Sequence, residues 1–158
     1  MQAVAMKEYR NIADIVDGLI RTYGNSRTYY LLDALRQVTH PGHIEMIKTY
    51  ILFIVSNFYG IDIDNVIFGS SRECTEAKKI AMYILHKDEG ISIQGVGNMF
   101  DGLSKGRTHS HIKDVDYWLR NEKNFPDICN KYQTIQMQLH KFKTYINNTY
   151  FHGGEDDN

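Results

Sequence analysis

Apolar residues recur every three or four positions along most of the chain, the period of helices that bury one face. Ile12, Ile15, Val16, Leu19 and Tyr23 predict a first helix over about 6–23. Gly24-Asn25-Ser26 stops it, and Ser26 is placed to cap a second helix carrying Tyr30, Leu31, Ala34, Leu35 and Val38. His40-Pro41-Gly42 is the clearest break in the pattern and sets a boundary between an N-terminal hairpin, residues 1–42, and the rest. A long helix over about 43–59 then turns Ile44, Ile47, Ile51, Ile54, Val55 and Phe58 inward and ends at Gly60.

Asp62 to Ile67 reads as a short capped turn of helix, and Gly69-Ser70-Ser71-Arg72 as a loop. Cys74 or Thr75 opens the next helix, which runs to about His86 and buries Ile80, Ala81, Tyr83, Ile84 and Leu85. Ser92 caps a short helix, Ile93 to Phe100, whose Gly95 and Gly97 weaken it and therefore want a packing reason. A glycine-bearing turn leads to a helix over about 107–121 with Ile112, Val115, Trp118 and Leu119 inward. This succession of short helix, turn and longer helix has the shape of a helix-turn-helix. The last helix, about 127–150, carries Ile128, Tyr132, Ile135, Leu139, Phe142 and Ile146 in a narrow heptad-like stripe. Such a stripe docks back on the N-terminal hairpin or pairs with a second copy or another protein. The acidic tail, residues 152–158, is expected to be disordered.

These periods predict an all-α fold: a helix-turn-helix bundle over 43–151, with an extra N-terminal hairpin and a long C-terminal helix. Composition is ordinary for a globular chain, at 42% hydrophobic and 23% charged over 158 residues. The most apolar run, Tyr50 to Val55, is too short to span a bilayer, and Met1 to Asn11 lacks the apolar core of a signal peptide. Two cysteines, Cys74 and Cys129, build neither a disulfide framework nor a four-thiolate zinc site, so a cytoplasmic chain with reduced thiols is expected. The formal charge of −1 argues against nucleic-acid binding until it is divided along the chain. Residues 69–113 carry 7 basic and 5 acidic side chains, the only segment with a basic surplus above one.

No catalytic, cofactor or metal chemistry is nominated. The segment from Gly95 to Gly106 fits neither phosphate-binding template, because Leu103-Ser104 follows Gly102 and Phe100 stands where a third glycine would be needed. His109 and His111 lie about 200° apart on a helix and cannot share one metal. His40 and His43 lack a carboxylate or thiol to complete a site, and Ser110 lacks a triad context. A nucleotide, metal or cofactor is therefore not expected, and neither is enzymatic activity.

Five segments in order carry a stronger signal. VSNFYGIDIDNVI, Arg72-Glu73, Lys78 to Tyr83 (KKIAMY), Ser92 to Phe100 (SIQGVGNMF) and Gly106 to Ile112 (GRTHSHI) follow in order within a stretch of roughly 95 residues, from about His43 to Leu139. Together they resemble the C-terminal DNA-binding domain, domain IV, of the bacterial chromosomal replication initiator family DnaA, whose corresponding pieces include "RQIAMYL" and the signature "GRDHTTV". The family's AAA+ ATPase domain has no counterpart here, and a hairpin of about 40 residues stands in its place. Thr108 replaces the aspartate of the signature, His111 replaces its second threonine, and the turn before Gly106 is longer, so the family's strict origin-box specificity is not carried over.

The resemblance implies a sequence-preferring double-stranded-DNA-binding protein of replication initiation or transcription control, cytoplasmic and nucleoid-associated. Its reading helix would present Arg107, Thr108, His109, Ser110 and His111 to base edges in the major groove. Arg72 would contribute a second contact from a basic loop, while Lys78, Lys105 and Lys113 would hold phosphates. The alternative is a non-catalytic protein-interaction adaptor on a helix-turn-helix scaffold that has lost strong DNA affinity.

Overall fold

A computed structural model describes residues 2–37 and 43–146, and the side chains of residues 13–32 and 47–144. Over these residues the chain is all-α, with no strand. The helices are α1 (Gln2–Tyr23), α2 (Asn25–Gln37), α3 (His43–Tyr59), α4 (Ile63–Phe68), α5 (Arg72–Tyr83), α6 (Ile93–Met99), α7 (Lys105–Arg120) and α8 (Pro126–Ile146). A single π-helical stretch, Ile84–Asp88, continues α5. The break at His40-Pro41-Gly42 and the tail 152–158 lie outside the described residues, as do the side chains of Ile12, Ala34, Leu35, Val38, Ile44 and Ile146.

The core forms around α3. Six consecutive residues, Ile51 to Ser56, are buried, so this helix is covered all round rather than along one stripe. α2, α4, α5 and α8 supply the cover. Phe58, expected inward, is 37% exposed. Its neighbour Tyr59 turns in instead, where its hydroxyl donates to Glu76 Oε1 at 2.6 Å. Lys131 Nζ reaches the same carboxylate oxygen at 2.9 Å and lies 5.0 Å from the Tyr59 ring centre. Burial and the Glu76 carboxylate together push the Tyr59 phenol well above its ordinary range.

Among the described residues the stripe on α8 docks mainly on α3 rather than on the N-terminal hairpin, which corrects the sequence expectation. Ile135 and Leu139 are fully buried, and Phe142 stacks on Tyr50 with ring centres 3.7 Å apart. The physical reason is that the sequence of α3 is more apolar than those of α1 and α2, and burial follows apolar area whichever element provides it.

One arginine supplies hydrogen bonds between the hairpin and the core. Gly24 ends α1 with φ +84°, a left-handed conformation that suits glycine, and α2 begins at Asn25, one residue before the expected cap. Arg27 on α2 then donates from Nε to Ser56 Oγ and from a terminal nitrogen to the Ile61 carbonyl, each at 2.9 Å. Ser56 Oγ donates to the same carbonyl at 2.6 Å. Tyr23 packs edge-on against Phe53, while Ile15, expected inward, is 63% exposed because α1 meets little beyond α2.

α5 begins earlier than the sequence indicates. Ser71 Oγ accepts from the Cys74 amide at 3.1 Å, which starts the helix at Arg72 and leaves no basic loop there. A Cβ on Gly69 would lie 2.4 Å from the Asn65 carbonyl oxygen and 2.7 Å from Cys74 Sγ, so only glycine permits this close turn. Tyr83, expected in the core, is only partly buried, its ring edge-on to Tyr132.

Candidate nucleic-acid interface

Two serines and one glycine place α7. Ser92 Oγ accepts from the Gly95 amide at 3.0 Å and starts α6, as its sequence position indicates. Ser104 Oγ accepts from the Arg107 amide at 3.3 Å and starts α7 two residues earlier than expected. Between them Phe100 is fully buried, and Asp101 (φ +58°) and Gly102 (φ +63°) reverse the chain. The Leu103 amide then returns to the Gly97 carbonyl at 3.1 Å. A Cβ on Gly97 would sit 2.5 Å from the Leu103 carbonyl oxygen and 2.8 Å from Thr108 Oγ1. That is the packing reason the sequence demanded for a glycine inside α6.

This packing removes Thr108 from the set of base readers. It is fully buried, and its hydroxyl donates to the Ser104 carbonyl at 3.0 Å. With Ile112 and Val115 it forms the inner face of α7, which fixes the helix rather than touching a ligand. Trp118 and Leu119 extend that face less completely than the sequence suggested, being partly buried.

The outer face carries the remaining predicted residues. Lys105, Arg107, His109, Ser110 and Lys113 are all exposed, and Tyr117 continues the face at 57% exposure. From Leu103 to Lys113 no acidic residue occurs. The first, Asp114, is held by Lys79 at 2.6 Å, and Lys79 also lies 5.4 Å from the Trp118 ring centre. His111 is half-buried on the flank towards α5. Burial lowers its pKa, and the charges of Lys79, Lys78 and Arg107 lower it further against the opposing pull of Asp114.

Lys78 sits on the same flank, donating to the Gly69 carbonyl at 3.2 Å. It lines a depression of about 320 Å³ together with Phe68, Ser104 and Arg107. Arg72 is elsewhere. It borders two adjoining depressions with Phe125 and Ile128, one of them reaching Trp118. Trp118 is eleven positions beyond Arg107, about 16 Å along the axis of α7. The structure therefore gathers Lys105, Arg107, His109, Ser110, His111 and Lys113 along the first nine residues of α7 with Lys78 on the flank, and sets Arg72 apart beside Trp118.

Sequence reasoning missed Phe68, which is 60% exposed beside Lys78, and Tyr117. The signal for Phe68 was present: Ile63, Val66 and Ile67 occupy the inner face of α4 at 3/4 spacing, which turns Phe68 outward. The Tyr59–Glu76–Lys131 network carried no such signal, because its members come from three distant helices.

Among the described residues no group of histidine, cysteine, aspartate and glutamate side chains is placed to hold a metal, and no helix is long and apolar enough to cross a membrane. Cys74 and Cys129 are free and buried, and burial raises the Cys129 thiol pKa. Comparison of the chain with protein-family models, curated proteins and solved structures finds no match.

Proposed function

We propose that α6, its turn and α7 act as a helix-turn-helix that binds double-stranded DNA, as the resemblance to domain IV of the DnaA family implies. The observation that carries this reading is the outer face of the first half of α7: three exposed cations, two exposed hydrogen-bonding side chains and no acid. His109, Ser110 and Arg107 face base edges, arginine being suited to bidentate recognition of guanine. Lys105, Lys113 and Lys78 hold phosphates. Thr108 serves as scaffold. Arg72 makes a second contact with the duplex from the start of α5. The role this supports is control of replication initiation or transcription at the nucleoid, without catalysis, cofactor or metal.

Selection of bound duplexes from a random pool tests it. An enriched sequence is expected, and Arg107→Ala should reduce discrimination at one position of that sequence by ~1–3 kcal/mol. A pool that returns no enriched duplex would favour the adaptor reading of the same scaffold.

A further inference from the structure

The depression beside α7 joins an aromatic ring to a cation in a way the α7 face alone does not explain. Phe68, at the end of α4, leaves 60% of its surface exposed, while Ile63, Val66 and Ile67 form the inner face of α4. It shares the depression, about 320 Å³, with Lys78, Leu103, Ser104 and Arg107. Lys78 spends one of its three N–H donors on the Gly69 carbonyl and keeps two for a ligand. Asp101 is the one acid of the lining and disfavours an anion near the turn, which leaves the Lys78 end for it. A ring next to a cation, in a cleft open to solvent, matches a unit with an apolar face and an adjacent phosphate.

We propose, resting on the DNA reading above, that this depression is a backbone-nucleotide site: Lys78 takes a phosphate and the Phe68 ring packs against the deoxyribose attached to it. The ring excludes water from the Lys78–phosphate pair and sets the distance at which the duplex meets α7. Phe68 is thus a positioning residue, insensitive to base identity, and its contribution is apolar rather than ionic.

Fluorescence anisotropy of a labelled, mixed-sequence DNA duplex of about 30 base pairs, titrated with the full chain at several salt concentrations, distinguishes the parts. Phe68→Ser is expected to weaken binding about fivefold at every salt concentration, leaving the salt slope unchanged. Phe68→Tyr, which keeps the ring, should bind as the parent does. Lys78→Gln should reduce the slope by about 0.9, the value for one lost phosphate contact. Helical circular dichroism identical to the parent's checks that each variant is folded. Parent-like affinity of folded Phe68→Ser, beside a parent chain that does bind, overturns this inference and leaves the DNA reading standing. A parent chain that shows no salt-sensitive binding overturns both.

Discussion

Gly97 has no room for a side chain, since a Cβ there would lie within 2.5 Å of one backbone oxygen and 2.8 Å of the Thr108 hydroxyl. Gly97→Ala must therefore push α6 away from α7, and a destabilisation of about 1–3 kcal/mol in urea unfolding is expected. An unchanged midpoint would show that the two helices are not in this contact. His111 gives a second test at this scale. Its folded pKa lies below the ordinary 6.5, so the native state prefers the neutral ring. The resulting stability is complete above 6.5 and is lost as pH falls through that value towards the lowered one. His111→Asn should remove that part of the pH dependence, seen by comparing urea midpoints at about pH 7.5 and about pH 5.5. Equal losses in parent and variant would place the titrating group elsewhere. Much at this scale was legible: Ser92 as a cap and Gly97 as a position needing an explanation follow from local chemistry. Thr108 was not, because its burial depends on α6 coming close, which no neighbour in sequence announces.

Helices followed from the 3/4 spacing of apolar residues, and their ends largely from Gly24, Gly60 and Ser92. The start of α5 did not, because Ser70, Ser71 and Thr75 all offer capping oxygens, and it is Ser71 whose hydroxyl accepts from the Cys74 amide. The destination of α8 was also hidden. A heptad stripe states that an apolar surface must be covered but not by what, and α3 proved the better cover. Arg27 shows how one side chain joins elements. Its two hydrogen bonds, to Ser56 Oγ and the Ile61 carbonyl, attach α2 to the core. Arg27→Ala should cost about 1–3 kcal/mol and should speed amide hydrogen exchange in α2 before it does so in α3. Uniform protection of both helices in the variant would mean that apolar contacts hold the hairpin without it.

At the scale of the molecule, a net charge of −1 conceals an uneven distribution. Cations inside the bundle are largely consumed: Lys79 by Asp114, Lys131 by Glu76, Lys143 by Glu89, and Arg120 on the surface by Asp116. Arg72, Lys105, Arg107 and Lys113, which none of these ion pairs takes, and the two spare donors of Lys78 lie along α7 and α5. The α7 part of the candidate site was visible in the sequence because its residues lie close together in one helix, whereas the approach of Lys78 from α5 was not. The pairing that strips the other cations of their charge needed the fold. If Arg107 reads a base, four cations remain for phosphates, which limits the salt slope to about −4. The decisive measurement is the affinity of the full chain for its selected duplex between about 50 and 200 mM salt. The account predicts a linear fall of log K with log salt, with a slope between about −2 and −4. An affinity that does not change with salt, or no binding at all, would contradict it.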